Sequence, residues 1–224
     1  MREIVLDTET TGLDPAAGHR IVEIAGIELL NHVETGRHYQ QYINPERDMP
    51  EEAFKVHGLS VEFLSGYPVF AGVADAFLEF IGDAPLVIHN ADFDMKFLNA
   101  ELAALGHPPL ERGRAIDTLA IARRKFPGAQ SSLDALCRRF EIDNSQRTLH
   151  GALLDTQLLA EVYLELIGGR QPGFELGQNR RAQSVAVKPT SAEARPPRPH
   201  APSDEELEAH KAMLAQLKDP VWLN

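Results

Sequence analysis

The stretch Ile4-Val5-Leu6-Asp7-Thr8-Glu9-Thr10-Thr11-Gly12 decides how the rest of the chain is interpreted. A run of three apolar, β-prone residues leads into two acids and then breaks at a Thr-Gly pair. Because side chains alternate along a strand, Asp7 and Glu9 point to the same face, which Val5 shares. The sequence therefore predicts a buried strand that carries two carboxylates side by side.

Two adjacent carboxylates on a buried strand repel each other and must be neutralised. A bound cation, a raised pKa or a basic partner can do this, and the motif itself contains no Lys or Arg. A divalent metal ion is the interpretation we favour. The alternative is an acidic strand end exposed to water, and this stretch alone leaves both open.

Length and composition favour a globular protein of one or two domains. The chain has 224 residues, of which 43% are hydrophobic. We find no apolar run long enough to span a bilayer and no signal-peptide pattern, so no membrane partner is expected. The single cysteine, Cys137, excludes an internal disulfide and a cysteine-based zinc site. A cytoplasmic location is therefore expected.

The net charge of −11 is concentrated in the front of the chain. Residues 169–224 contain 8 Lys and Arg against 7 Asp and Glu, so the first 168 residues contain 14 against 26. Such acidity argues against unaided binding to nucleic acid. An acidic enzyme that handles phosphodiesters must rely on metal ions or a partner to hold its substrate.

The order of the patterns predicts strands first, then strands alternating with helices. This order is typical of a mixed α/β sheet, with an antiparallel meander followed by parallel strands. Ser131 is expected to cap the helix that follows it. Beyond the first strand, the predicted strands are 21–29, 38–44, 86–88 and 115–117. The predicted helices begin near Pro50 and cover 69–81, a segment ending at Leu105, 118–126 and 151–167, with one more after Ser131.

The character of the chain changes after Phe174. Residues 177–203 hold five prolines and almost no large apolar residues, which predicts a disordered linker. Ser203 and Glu206 form a capping-box pattern at the start of a last helix with an apolar stripe. We therefore divide the chain into a main domain over 1–169, a Pro-rich linker over 170–203 and a helical docking tail over 204–224. An unstructured tail with accidental periodicity is the alternative.

Several acids and one histidine could converge on Asp7 and Glu9. Each follows a predicted strand or starts a predicted helix, where acids also serve as caps. His150 and Asp155 are five residues apart, roughly 140° around a regular helix, so they can face one ion only if His150 precedes the helix. Gly151 is compatible with a helix that begins only after His150. The candidates are Asp92, Asp94, Asp117, Asp134, His150 and Asp155.

Three motifs in this order resemble the histidine variant of the DEDD exonuclease superfamily. They are Asp7-x-Glu9-Thr-Thr-Gly, then His89-Asn90-x-x-Phe93-Asp94, and His150 followed by Asp155. The likeness covers residues 1 to about 170 and implies a ribonuclease H-like α/β fold. It also implies a metal-dependent nuclease that removes nucleotides one at a time from 3′ ends.

The resemblance implies a role for each matching residue. Asp7, Glu9, Asp94 and Asp155 would bind two divalent cations, and His150 would be the general base. Oxygen ligands suit Mg²⁺ or Mn²⁺ rather than zinc, and two such ions suit phosphodiester hydrolysis. Weaker expectations place Thr10, His57 and Asn90 at the nucleotide. Asp92 is expected to be solvated, and Asp117 and Asp134 to be structural.

The function predicted from this resemblance is proofreading for a replicative DNA polymerase. The partners would be a DNA 3′ end, the catalytic subunit of the polymerase through the tail, and a small accessory subunit. Gln171-Pro172-Gly173-Phe174-Glu175-Leu176 resembles a sliding-clamp peptide, although a simple exit from the domain is the alternative. The rival functions are an exonuclease of RNA 3′ ends and a non-catalytic polymerase scaffold.

Overall fold

The structure is a computed structural model of the chain that describes residues 1–147, 149–169 and 202–216. The chain divides into two compact units, Met1–Phe174 and Glu175–Asn224. Residues 170–201 of the predicted linker, which include the clamp-like peptide at 171–176, and residues 217–224 of the predicted tail lie outside the described residues.

A five-stranded sheet forms the centre of the first unit. Its strand order is β3-β2-β1-β4-β5, with β1 antiparallel to β2 and parallel to β4. The β2–β3 pair is antiparallel and the β4–β5 pair is parallel. This arrangement confirms the predicted mixed sheet with a meander followed by parallel strands. The strands are β1 (Arg2–Thr10), β2 (Ile21–Leu30), β3 (Val33–Tyr42), β4 (Leu86–Ile88) and β5 (Ala115–Asp117).

Helices cover both faces of this sheet. On one face Ile4 and Leu6 pack into a core with Phe77 and Phe97. On the other face Val5 packs into a second core that includes Leu159. The first strand is buried on both faces because its apolar residues alternate between these two cores. The helices are α1 (Glu51–His57), α2 (Val61–Leu64), α3 (Ala74–Ile81), α4 (Ala91–Ala104), α5 (Thr118–Lys125), α6 (Leu133–Phe140) and α7 (Ala152–Leu166).

Three local predictions differ from the structure. The segment predicted as one helix over 69–81 is a short 3₁₀ turn at Phe70–Gly72 followed by α3. Ser132, not Ser131, caps α6, because the Ser132 hydroxyl accepts from the Ala135 amide while Ser131 donates to a carbonyl. The strand predicted at 38–44 is longer and begins at Val33. The periodic spacing of apolar residues was enough to locate each of these elements. Their ends depend on individual hydrogen bonds, which the spacing does not show.

The second unit contains one described helix, α8 (Asp204–Leu214). The predicted capping box is present, with Ser203 and Glu206 bonding each other's backbone. Leu207 and Met213, which belong to the predicted apolar stripe, are exposed. Across the described parts of both units, the helices are too short or too polar to cross a membrane.

Candidate active site

Four acids from three elements of the first unit come together at one edge of the sheet. Asp7 and Glu9 project from the end of β1, where Glu9 pairs in register with Glu23 of β2. Asp94 lies in the first turn of α4 and Asp155 in the first turn of α7. Glu9, Asp94 and Asp155 are buried, at 8%, 3% and 4% exposure. The alternative of a solvated acidic strand end is therefore wrong for this site.

Hydrogen bonds fix Asp94 beside the first strand. Its Oδ1 accepts from the Thr8 backbone amide at 3.1 Å and from the Thr8 hydroxyl at 2.7 Å. Thr8, whose side chain points to the face of β1 opposite Asp7 and Glu9, thus fixes Asp94 next to the end of this strand. The motif residue between Asp7 and Glu9 has a positioning role that the sequence reasoning missed.

His150 lies on the segment just before α7, as its convergence with Asp155 requires. Its backbone amide donates to the Val56 carbonyl at 2.9 Å, and Gly151 is the N-cap residue of α7. The Nδ1 atom of His150 lies 3.4 Å from Oδ2 of Asp155. Ligand atoms of Glu9, His150 and Asp155 all lie within 4.8 Å of one another, which is compatible with a shared cation.

The electrostatics of the cluster favour a bound cation. Burial, and then the charges of Asp94, Glu9 and Asp155, raise the pKa of Asp7 well above its usual value. Burial and the charge of Asp155 raise the pKa of Glu9 to about 8. Burial raises the pKa of Asp94 to about 7 despite its bonds to Thr8. These carboxylates resist ionisation in the absence of a cation.

Arg147 contacts the fourth acid, and sequence reasoning did not assign it a role. Its Nε and Nη2 atoms bond the two oxygens of Asp155 at 2.5 and 2.7 Å. Burial would raise the pKa of Asp155, but the bonds from Arg147, together with the nearby His150, hold it below its usual value. Arg147 lies three residues before His150 in the sequence, and that proximity was the available signal.

Glu23 is a further buried acid that the sequence reasoning missed. One carboxylate oxygen accepts from the Ala152 amide at 3.1 Å and the other from Gln40 at 2.8 Å. The N-cap residue Gly151 has no side chain, so Glu23 satisfies an amide of the first turn of α7. It thereby positions the helix that carries Asp155. The sequence could have indicated this role only through the position of Glu23 on the second predicted strand, opposite Glu9.

Replacing Glu23 with alanine is expected to destabilise the protein by about 1–3 kcal/mol, because the Ala152 amide loses its buried acceptor. Turnover should fall with it, since the start of α7 shifts. Glu23→Gln retains an acceptor for Ala152 and should have the smaller effect on both. Urea denaturation and nuclease turnover of the two variants check this, and equal effects would contradict a capping role.

Two cavities flank the acids, and Leu13 and Phe93 line both of them. The first, of about 570 Å³, is lined by Glu9 and by two predicted nucleotide contacts, Thr10 and His57. The second, of about 750 Å³, is lined by residues that include Asp7, Asn90, Arg123, His150 and Asp155.

The predicted nucleotide contacts differ in how they are held. His57 is buried, its Nδ1 accepts from the Leu59 amide, and its Nε2 has no partner among the described residues. Thr10 donates to the Gly12 carbonyl at 2.7 Å. Asn90 precedes α4 in the left-handed region, with φ of 66°. Their contacts with a nucleotide stay predictions.

The remaining candidate acids lie apart from this cluster or at its rim. Asp92 is 77% exposed and pairs with Arg112. Asp117 caps α5 by accepting from the Leu119 amide at 2.9 Å. Asp134 is half-buried and accepts from Nη1 of Arg147 at 2.9 Å. Asp134 therefore connects to the site through the arginine, which the expectation of a purely structural acid did not include.

Comparison with known proteins agrees with this geometry. A family model described as "Exonuclease" matches residues 4–163. DNA polymerase III subunit epsilon of Rickettsia felis is 53% identical over 235 residues, covering 97% of both chains. The solved structure of exonuclease X with a 5′-overhanging DNA duplex is 26% identical, with a TM-score of 0.58 over 73% of this chain and 90% of its own. The nuclease domain of 3′hExo, a DEDDh family member bound to rAMP, is 20% identical with a TM-score of 0.65 over 74% of this chain and 91% of its own, and shares the fold.

The chain belongs to the exonuclease family and is a 3′→5′ exonuclease. This confirms the resemblance to the histidine-containing DEDD superfamily, whose members depend on divalent metal ions. Within the family the chain is similar to DNA polymerase III subunit epsilon over nearly its whole length.

Proposed function

We propose that this exonuclease removes mononucleotides from DNA 3′ ends as the proofreading subunit of a replicative polymerase. The observation that carries the proposal is the convergence of Glu9, His150 and Asp155 within 4.8 Å beside Asp7 and Asp94. The near full-length similarity to epsilon subunits supports the assignment to DNA replication.

The donor set fits a pair of hard divalent cations. Asp7, Glu9, Asp94 and Asp155 offer only carboxylate oxygens, which suit Mg²⁺ or Mn²⁺. The raised pKa values of Asp7, Glu9 and Asp94 reflect negative charge that such cations would offset. When bound, they supply a nucleophile at neutral pH and stabilise charge on the phosphate oxygens.

The chain's own residues would orient the substrate and move the proton. His150 is about half-exposed beside Asp155, where an imidazole nitrogen can take a proton from the attacking water. Thr10 and His57 line the cavity that would hold the terminal nucleotide. Asn90 lines the cavity on the other side of the acids, where the preceding nucleotide would lie.

A direct experiment separates this function from its rivals. Purified full-length protein with Mg²⁺ is given a 3′-mismatched DNA primer, a matched primer and a single-stranded RNA of the same sequence. We expect 5′-mononucleotides from DNA, with faster release at the mismatch. Degradation of RNA alone would favour the RNA-processing rival, and no degradation of either substrate would favour a scaffold.

The proposed partners are inferred from the negative charge of residues 1–168 and from the apolar stripe of the C-terminal tail. The excess of acids in residues 1–168 means that metal ions or another subunit must help to hold the DNA at the site. We propose that the tail binds the catalytic (alpha) subunit of polymerase III and keeps the nuclease nearby through effective concentration. A sliding clamp at Gln171–Leu176 and a small accessory subunit are further proposed partners, in a cytoplasmic setting.

Truncation after Gly169 is expected to leave turnover on short single strands within about twofold of wild type and to abolish binding to the polymerase catalytic subunit. The reason is that the cluster lies entirely within the first unit. Size-exclusion chromatography with the purified polymerase subunit measures binding.

A matched pair of substitutions locates the contact within the tail. Leu207→Glu places a charge on the exposed apolar stripe of α8 and should weaken polymerase binding. Glu205→Gln changes a neighbouring exposed residue and should not. Full binding by the truncated chain would show that the tail is not the docking segment.

A further inference from the structure

Arg147 joins three side chains of the site through one guanidinium group. Its Nε and Nη2 bond both oxygens of Asp155, and its Nη1 donates to Asp134 at 2.9 Å. Its Nη2 also lies 2.7 Å from Nδ1 of His150. Only 7% of the arginine side chain is exposed, so these bonds form in a place largely closed to water.

This arrangement engages the atoms that the reaction needs. A guanidinium has no acceptor, so Nδ1 of His150 accepts the bond and its lone pair is occupied by the arginine. Both oxygens of Asp155 are bonded as well, and Asp155 is one of the three residues whose ligand atoms lie within 4.8 Å of one another.

Asp134 offers the arginine a second, more open position. It is 42% exposed on α6 and already bonds Nη1, and Asn144 donates to the same oxygen at 3.0 Å. Arg147 could therefore release His150 and one oxygen of Asp155 without losing every carboxylate partner. The sequence places this acid 21 residues before Asp155, and the fold brings the two to opposite sides of one guanidinium.

We propose that Arg147 is a positioning residue that acts as an internal counter-cation. Without metal it neutralises Asp155 and occupies His150. Binding of a divalent cation displaces it toward Asp134, which frees Nδ1 of His150 and an oxygen of Asp155. This inference rests on the proposed metal site. It adds that Asp134 and Arg147 set how readily the cation binds.

A structural ion pair elsewhere in the first unit provides the control. Arg20 bonds both oxygens of Glu101 at 2.7 and 2.8 Å, and the Glu101 side chain is 5% exposed. The geometry matches that of Arg147 and Asp155, but the pair lines neither cavity. Arg20→Gln is expected to lower stability equally with and without Mn²⁺ and to leave Mn²⁺ affinity unchanged.

The test is a double-mutant cycle read by Mn²⁺ affinity, measured by calorimetry on the metal-stripped full chain. Arg147→Gln should bind Mn²⁺ about tenfold more tightly, because the competing cation is gone. Asp134→Asn should bind it several-fold more weakly, because the displaced arginine loses its second partner. In the Arg147→Gln background the effect of Asp134→Asn should shrink to less than about twofold.

The cycle separates displacement from simple through-space attraction. If the two substitutions change affinity additively, Arg147 does not move toward Asp134 and the inference is overturned while the metal site stands. If the wild-type chain binds no Mn²⁺, the proposed metal site and this inference fail together. Should Arg147→Gln not fold, Arg147→Met replaces it in the cycle, because methionine also removes the competing charge while keeping a long side chain.

Discussion

Replacement of Asp7 by asparagine is expected to reduce nuclease turnover by a factor on the order of 10³ or more and to make the metal-free protein more stable. Asp7 lies beside the other three acids, whose charges, together with burial, raise its pKa. An amide of the same size removes one cation ligand and at the same time relieves the repulsion. Activity and stability should therefore change in opposite directions.

The measurement pairs turnover on a labelled single strand with urea denaturation in EDTA. Asp75→Asn is the control, because the Asp75 side chain is 95% exposed and belongs to no part of the site. It should change neither quantity appreciably. Loss of both activity and stability in Asp7→Asn would instead indicate that Asp7 supports the fold rather than the chemistry.

Much of the fold could be predicted because strands and helices are recognised from the spacing of apolar residues within short segments. The alternation in β1 placed Asp7 and Glu9 on one face, and the structure has this arrangement. The break at Gly151 allowed His150 and Asp155 to approach, and they lie 3.4 Å apart. Each conclusion needed only the geometry of one strand or one helix start.

The features that sequence reasoning missed depend on contacts between distant segments. Glu23 and Ala152 are 129 residues apart and meet only because β2 lies beside β1 at the start of α7. Sequence reasoning gave no role to Arg147, because this residue is far from the first motif along the chain. The neutralising group came from another part of the chain, which a single sequence cannot place in space.

The placement of charge connects the fold with the proposed role. The carboxylates that would bind the cations are negatively charged and repel the phosphates of DNA. The cluster therefore cannot attract a DNA substrate by itself. Three of its carboxylates have raised pKa values, and the fourth is held ionised by Arg147. The folded chain is thus strained electrostatically in the absence of metal, and this strain has a measurable consequence.

The stability of the metal-free protein is expected to fall as the pH rises from about 4 to about 8 and to level off above that range. Glu9 has a pKa of about 8 and Asp94 of about 7 in the folded protein, against usual values of 4.5 and 3.8. Within this window the folded chain binds more protons than the unfolded chain, so raising the pH favours unfolding. The loss should be on the order of a few kcal/mol for Glu9 alone.

A divalent cation should remove most of this dependence. It binds the ionised carboxylates of the folded chain, so millimolar Mg²⁺ or Mn²⁺ stabilises the protein most at high pH, where no proton competes. Urea denaturation from pH 5 to 9, with EDTA and with Mg²⁺, measures both curves. Glu9→Gln should flatten the EDTA curve, whereas Asp75→Asn should leave it unchanged. A metal-free curve that rises toward pH 8 would mean that these acids are already ionised in the folded chain, and the electrostatic argument for the cation site would be wrong.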